Sequence, residues 1–326
     1  MKDLILHKLK EKEEYISGEE LSRSLGVSRT AVWKHINELR KEGYIIESSS
    51  KKGYCIKEFP DLLDERELHI PEGQQIGRHF IHFDEIDSTN NYAKRIGNEG
   101  CPHGTVITAE KQTLGRGRVG RAWQSDSNQG LWFSIVLRPE LEPEKVQMVT
   151  LAASVAVIEG VYSSTGSTCG IKWPNDIILN NCKLGGILTE LSAEPGHVNY
   201  VVVGIGINVN QTQCEFDQEI QTKATSLKMY TGNKVSRVKL LGSILSCFEK
   251  VYKLMLAGNT AEILERWSRY SVTIGREVKI VGREEEYIGT AEAVASDGKL
   301  IVKCKDGRIT EVAAGEVQVR GLLGYT

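Results

Sequence analysis

The run Gly115-Arg116-Gly117-Arg118-Val119-Gly120-Arg121 constrains this chain more than any other segment. Its glycines fit G-x-G-x-x-G, the spacing of a loop that opens a helix and seats a pyrophosphate on the helix N-terminus. The next residues, Ala122-Trp123-Gln124-Ser125-Asp126-Ser127-Asn128-Gln129-Gly130, cannot open a helix. The helix-dipole mechanism is therefore out of reach, and with it a dinucleotide fold. A P-loop is excluded as well, because G-K-[ST] occurs nowhere in the chain. Three arginines on a loop hinged by glycines remain. Such a loop either clamps a polyanion and shuts over it or is a solvated basic loop.

Four further segments place small and polar groups around strands. Asp87-Ser88-Thr89-Asn90 comes after a strand-like run, and Lys172-Trp173-Pro174-Asn175-Asp176 is a rigid polar turn before another. Lys183-Leu184-Gly185-Gly186-Ile187-Leu188 begins a strand with one lysine and two glycines. Gly204-Ile205-Gly206-Ile207-Asn208 ends a strand with small residues that let a ligand approach backbone. Each alone is equally a structural turn or bulge. Strands are expected over 131–137, 177–179, 184–191 and 200–209, and helices over 148–162 and 238–256. Asn180-Asn181 and Pro195-Gly196 read as hairpin turns, so the sheet should be largely antiparallel or mixed.

Up to about residue 57, short helices precede a hairpin. Leu4, Ile5 and Leu9 mark one face of an opening helix. Ser17-Gly18-Glu19-Glu20 reads as an N-cap with an acidic first turn, Leu21 and Leu25 as core positions and Gly26 as the stop. Ser28 caps the next helix, whose apolar stripe is Ala31, Val32, Ile36 and Leu39 and whose end is Gly43. Tyr44-Ile45-Ile46 and Tyr54-Cys55-Ile56 read as strands around a polar, basic tip.

Helix, glycine turn, helix and wing is the winged helix-turn-helix pattern. The start of its second helix offers Ser28, Arg29, Thr30, Trp33, Lys34 and Asn37 to bases and phosphates, and the wing tip offers Lys51 and Lys52. Trp33 is equally a core residue on this pattern. Residues 28–57 hold seven Lys/Arg against three Glu, a local net charge of +4 in a chain whose net charge is −2. That asymmetry is the footprint of a face that meets phosphates. A winged helix used only for protein contacts is the competing reading, and it leaves the Lys51-Lys52 tip unexplained.

At 326 residues the chain suits two or three domains. Residues 57–71, acidic and flanked by proline, read as linker. From Gly275 onward short strands recur over 277–281, 286–294, 300–304 and 308–312, with turns at Asp297-Gly298 and Asp306-Gly307, which is the pattern of a small barrel. Seven scattered cysteines without a C-x-x-C pair indicate reduced thiols and a cytoplasmic location. The first 14 residues contain no apolar h-region, and apolar runs near 151–158 and 200–209 are too short to span a membrane. The seven histidines form no metal constellation, so the expected site contains no protein-bound metal.

Together and in this order, the segments resemble one family, the biotin–protein ligases. They match the form that carries an N-terminal helix-turn-helix and doubles as repressor of the biotin biosynthesis operon. The resemblance covers nearly the whole chain: the winged helix, the G-R-G-R loop, K-W-P-N-D, K-x-x-G-I-L, G-I-G-I-N and a small barrel ending in Gly315-Glu316-Val317. Lipoate ligases share the catalytic fold but lack this motif set and the DNA-binding domain. The implied architecture is α+β: a winged helix-turn-helix over 1–60, a linker over 61–71, a class II synthetase-like mixed sheet with helices over 72–270, and an SH3-like barrel over 271–326.

By the same resemblance, Ser88, Thr89 and Asn90 are the biotin-binding triplet, and Gln112 lies beside the ureido ring. Arg116, Gly117 and Arg118 close over biotin and its adenylate. Lys183 contacts the activated carboxyl and phosphate, so Arg118 and Lys183 are the expected catalytic groups. Asn175, Asp176 and Asn208 belong to the nucleotide end. Val119 replaces an arginine frequent in the loop, and Lys111 precedes Gln112; the first departure removes a charge and bears on loop closure. The implied ligands are biotin and ATP with Mg²⁺. The implied partners are the biotin carboxyl carrier protein of acetyl-CoA carboxylase, other biotin-dependent carboxylases, operator DNA, and a second copy of the chain when the adenylate is bound.

The chemistry needs these residue types. A carboxylate must attack the α-phosphate of ATP, and cationic side chains offset the repulsion between the two anions. The product is a mixed anhydride that water destroys, hence a loop that excludes solvent. Trp123, Trp132 and the strand around Ile187-Leu188 are candidate walls for the biotin ring, Trp132 being equally a core residue. Two rival functions stand beside the ligase: an effector-sensing repressor with a degenerate ligase domain, and a lipoate-type ligase.

Overall fold

Ser17 and Ser28 cap the second and third helices of the N-terminal region, their Oγ atoms accepting from Glu20 N and Ala31 N. The helices are α1 (Lys2–Glu11), α2 (Gly18–Leu25) and α3 (Arg29–Lys41), succeeded by the antiparallel hairpin β1 (Ile45–Ser49) and β2 (Gly53–Glu58). In this computed structural model the described residues are 1–12, 14–281 and 286–314, together with the backbone of 318–321. Backbone contacts divide the chain between Leu62 and Leu63.

In the first unit Ile5, Leu9, Leu21, Val32, Ile36 and Leu39 bury one face of each helix against Tyr44 and Ile46. Arg40 fixes the hairpin to α3 by donating to Ile46 O at 3.1 and 2.7 Å. Ile16 and Tyr54 exchange backbone hydrogen bonds of 2.9 Å, adding a third, one-residue rung to the wing.

The second unit is built on a seven-stranded sheet. Its elements run β3 (Phe80–Ile86), α4 (Thr89–Asn98), β4 (Thr105–Gln112), β5 (Leu131–Leu137), α5 (Val146–Thr165), β6 (Gly170–Lys172), β7 (Asp176–Leu179), β8 (Cys182–Glu194), β9 (His197–Ile207), α6 (Leu227–Thr231), α7 (Arg237–Leu256) and α8 (Thr260–Tyr270). The strand order is β3-β4-β5-β9-β8-β7-β6, parallel only between β3 and β4, and therefore mixed as expected. Asn180 and Asn181 turn β7 into β8 with φ of 50° and 60°, a primed turn that asparagine tolerates.

Side chains alternate across this sheet. Val201, Val203 and Ile205 of β9 join α5 and α7 in the main core, while Val202 and Tyr200 pack with Ala93 and Ile96 of α4 on the other face. Helix α5 is long and apolar enough to cross a membrane by composition, but 78% of that apolar window is buried against the sheet, α7 and α8. It is the core helix of the unit.

The C-terminal strands are β10 (Glu277–Val281), β11 (Glu286–Val294), β12 (Leu300–Cys304), β13 (Ile309–Val312) and β14 (Gln318–Gly321), a small antiparallel sheet ordered β13-β12-β11-β10-β14. Val278, Ile280, Ala291, Leu300 and Val302 share the main core, so this sheet packs as part of the second unit. The expected end at Gly315-Glu316-Val317 lies outside the described residues.

The stretch read as linker over 61–71 behaves otherwise from Leu63 onward. Leu63 is buried, and Leu68 and Ile70 pack on the main core, because these three apolar residues lie between the acidic ones. All seven cysteines are free thiols.

Candidate active site

The polar triplet sits where β3 gives way to α4. Ser88, Thr89 and Asn90 are all buried, which requires partners for their polar atoms. Gln112, at the end of β4, accepts from Thr89 N at 2.8 Å and from Thr89 Oγ1 at 3.1 Å, and donates to Ser125 Oγ at 3.1 Å. Ser134 of β5 is fully buried with its Oγ 2.8 Å from Thr89 Oγ1 and 2.6 Å from Asn90 Oδ1. The Asn90 amide donates to Leu188 O at 3.2 Å and to Glu190 Oε2 at 2.9 Å. Burial would raise the Glu190 carboxyl, but hydrogen bonds from Lys94 and Asn90 hold it below the usual carboxylate range.

The arginine loop is a small hairpin. Arg116 bridges Ala122, Gly117 N donates to Arg121 O at 2.7 Å, and Trp123 N donates to Gly115 O at 2.9 Å. The sequence treats its three glycines alike as hinges, and the structure separates them. Gly120 takes the left-handed conformation with φ of 72°. Gly115 is forced by close approach, since a Cβ there would lie 2.3 Å from Trp123 O and from Ser125 Oγ. Val119, at φ 54°, holds a left-handed conformation that a β-branched residue rarely takes.

Two arginines of this loop reach inward. Arg116 donates to Asn91 Oδ1 at 3.0 Å and lies 3.7 Å from Glu190. Arg118 donates to Asn175 Oδ1 at 3.2 Å and to the carbonyl of Ala314. Burial lowers the Arg118 pKa, with Asp176 opposing and Arg121 assisting; guanidinium starts so high that it stays charged.

The turn before β7 is anchored from beneath. Its Trp173–Pro174 bond is cis. The buried Trp173 donates from N to Thr273 Oγ1 at 2.9 Å and from Nε1 to Gly298 O at 3.2 Å. Asn175 is held by Nδ2 to Ile187 O at 2.6 Å. Asp176 Oδ1 lies 2.6 Å from Lys183 Nζ, which in turn stands 5.3 Å over the centre of the Trp123 ring. Asn208 spends its amide hydrogens on Thr225 O at 3.0 Å and Lys183 O at 3.4 Å, bracing the start of β8.

One cavity of about 1420 Å³ collects every residue expected at the biotin and nucleotide ends. Among its described lining residues are seven cationic side chains (Arg116, Arg118, Arg121, Lys172, Lys183, Lys223, Arg276) and two carboxylates (Asp176, Glu219), a balance suited to a polyphosphate. Trp123 lines the cavity, whereas Trp132 is buried core with Nε1 donating to Ser127 O at 3.1 Å.

The two glycines of the Gly204–Asn208 motif have a different reason from the one expected. A Cβ on Gly204 would meet Asn90 Oδ1 at 2.0 Å, and one on Gly206 would meet Trp123 Nε1 at 2.7 Å. These glycines make room for side chains of the site itself. Glu190, Ser134 and Lys94 were not among the expected residues. Ser134 is a lone small polar residue in an otherwise apolar strand, Lys94 is one of several polar residues on α4, and Glu190 looks like a solvated strand charge, while their partners lie far apart in sequence.

In the first unit the predicted DNA-reading face is exposed. Arg29, Thr30, Lys34, Lys51 and Lys52 face outward, and Trp33 is 57% exposed, which removes it from the core. Ser28 is also exposed, although its Oγ is engaged as the cap of α3. Asn37 is half-buried and accepts from Arg40 Nη1 at 3.2 Å. Lys52 lies 5.6 Å over the Tyr15 ring.

Comparison with known proteins agrees with this geometry. Residues 82–208 match the biotin/lipoate A/B protein ligase family, residues 2–55 an HTH domain, and residues 273–320 the biotin protein ligase C-terminal domain. The chain is 40% identical to the bifunctional ligase/repressor BirA of Bacillus spizizenii over 98% of both chains. It is 31% identical to the protein of that name from Escherichia coli over 94% of both. The biotin protein ligase of Aquifex aeolicus, solved with biotin and ATP, superposes with a TM-score of 0.65 at 30% identity, covering 75% of this chain and 99% of that one.

Proposed function

We infer the activity from one premise: this chain belongs to the family of bifunctional biotin ligases and repressors. It activates biotin with ATP to biotinyl-5′-AMP, transfers the biotinyl group to a lysine of a carboxyl carrier protein, and represses transcription through its winged helix. One observation carries the enzymatic half. A neutral polar end (Thr89, Asn90, Gln112) and a cationic end (Arg118, Lys183) share one cavity, as an apolar acid with a polar ureido tip and a nucleotide require.

The residues divide the work. Gln112 and the triplet orient the ureido ring, and Trp123 with Ile187 and Leu188 walls the ring system. The biotin carboxylate oxygen attacks the α-phosphorus, the bond to the β,γ-diphosphate breaks, and pyrophosphate leaves. Arg118 and Lys183 stabilise the charge on the phosphate as it builds. The hairpin of Arg116 and Arg118 then shields the anhydride from water. In the second step the carrier's neutral lysine amine attacks the carbonyl, AMP leaves with the bonding electrons, and the amine proton passes to solvent.

Mg²⁺ fits the nucleotide end. Among the described residues no group of three His, Cys, Asp or Glu converges. One carboxylate, Asp176, lies beside the phosphate-binding Lys183, and Mg²⁺ is commonly held by one or two carboxylates plus substrate phosphates. When bound, it neutralises phosphate charge.

The adenylate also serves as the regulatory signal. When carrier is scarce it stays bound, favours a homodimer, and so pairs two winged helices on a two-fold operator. The reactions belong to the cytoplasm. The deciding experiment is biotin-dependent exchange of ATP with pyrophosphate. Exchange with biotin and not with lipoate supports the reading; no exchange leaves a repressor with a degenerate enzyme, and exchange with lipoate makes the chain a lipoate-type ligase.

A further inference from the structure

Glu190 lies on β8 outside every motif of the sequence, yet it touches both halves of the biotin end. Its Oε2 accepts from Asn90 Nδ2 at 2.9 Å, its Oε1 accepts from Lys94 Nζ at 2.7 Å, and Arg116 Nη1 of the hairpin loop stands 3.7 Å from the same Oε1. We propose that Glu190 is a positioning residue for biotin activation, fixing the amide of Asn90 and the closed placement of Arg116 through a single carboxylate. The proposal rests on the biotin-ligase reading above.

The amide of Asn90 presents two donors and one acceptor oxygen, and which end points where is set by its neighbours. An ionised carboxylate only accepts, so Glu190 forces Nδ2 toward itself. The second Nδ2 hydrogen is taken by Leu188 O. Oδ1 is thereby turned toward Ser134 Oγ at 2.6 Å, in the space left by the absent Cβ of Gly204. Both donors of Asn90 are spent, and the one lone pair left on Oδ1 can accept from a ureido N–H. Leu188 O, likewise only an acceptor, holds the same end of the amide; with a neutral group at position 190 it does so alone, and the orientation of Asn90 is less firmly fixed.

The second arm is the loop. Arg116 is tied by Asn91 Oδ1 at 3.0 Å and attracted by Glu190, and both partners flank the triplet. The carboxylate therefore orients the triplet and draws in the loop that covers it. Against half-burial the carboxylate is held below the usual range by hydrogen bonds from both Lys94 and Asn90 and by the nearby Arg116, so its charge does not depend on Lys94 alone. In this role Glu190 acts on biotin and on adenylate retention and leaves the nucleotide end alone. A plain structural ion pair between β8 and α4 would instead depend on Lys94.

The test uses the full chain, three single variants and one double variant, with biotin affinity by calorimetry, the KM for ATP in pyrophosphate exchange, and the rate at which preformed adenylate escapes. Glu190→Gln should weaken biotin about tenfold and speed adenylate escape several-fold with the ATP KM unchanged. Lys94→Met should leave all three near wild type. Arg116→Gln, on a half-exposed side chain whose loss cannot unfold the chain, should speed escape, and adding Glu190→Gln to it should speed escape no further. Lys94→Met reproducing Glu190→Gln, a changed ATP KM, or fully additive effects of Glu190→Gln and Arg116→Gln on escape would overturn the proposal. Should Glu190→Gln fail to fold, the same judgement is made from Glu190→Asp, which keeps the charge, shortens the reach and should give a smaller change of the same kind. Absence of biotin-dependent exchange in the wild-type chain would sink the ligase reading, whereas exchange with a wild-type-like Glu190→Gln sinks only the role of Glu190.

Discussion

Lys183 Nζ lies 2.6 Å from Asp176 Oδ1 across the β7–β8 hairpin, so the amine expected to meet the α-phosphate is held by a carboxylate from the neighbouring strand. The pair fixes a flexible four-carbon side chain in the cavity before substrate arrives. Lys183→Gln should therefore lower the rate of biotin-dependent pyrophosphate exchange by about 10²-fold or more, in line with the loss of one charge-stabilising donor. Asp176→Asn should cost less and should raise the KM for ATP. Single-turnover adenylate formation measures both, and equal effects of the two variants on both constants would refute this division.

Arg118 ties the hairpin loop to Asn175 and to the carbonyl of Ala314, beside the residues proposed for the nucleotide end. Arg118→Gly should release adenylate into solution, read as biotin on bystander proteins incubated with the variant, ATP and biotin. Retention as tight as wild type would count against the loop as shield.

Gly204 leaves its place to the Asn90 amide, which three hydrogen bonds lock. Gly204→Ala should force that amide aside. Biotin affinity should fall about tenfold or more, and overpacking should cost about 1–3 kcal/mol of stability. Calorimetric titration together with thermal unfolding separates the two effects.

Arg237 is buried with its Nη1 2.6 Å from Glu110 Oε2, and it also donates to Gly130 O at 3.3 Å. Arg237→Met would strand Glu110 without its partner, and breaking one side of a buried pair costs about 3–5 kcal/mol. Denaturant unfolding should show this loss with operator binding by the first unit unaffected at temperatures where the variant stays folded.

For the first unit, Lys34→Ala and Lys51→Ala should each weaken operator binding on gel shift and reduce the slope of log affinity against log salt by about 1, as expected for lost phosphate contacts. Arg29→Ala should instead relax sequence preference if it reads a base edge. Unchanged salt slopes in both lysine variants would remove this face from the DNA.

Much of this molecule is written locally. Ser17 and Ser28 cap helices as their sequence context demands, Asn180-Asn181 makes the turn its residues allow, and the residues expected at the biotin and nucleotide ends meet in one cavity. What escaped sequence reading depends on distance along the chain. Glu190 meets Asn90 and Lys94 from about a hundred residues away, so on a strand it resembles any outward charge. β4 is buried over its first five residues and shows no alternation to betray it. Leu63, Leu68 and Ile70 are hidden among acidic residues and prolines that suggest a tether.

The anchoring of Trp173 by Thr273 and Gly298 bears on how this protein can be trimmed. A scissors cut after residue 270 would leave the Trp173 turn without its foundation and Arg118 without its carbonyl, so a minimal tagging enzyme cannot be made by discarding the final fifty-odd residues. The permissible cut lies at the other end, near Leu62, where the chain itself divides.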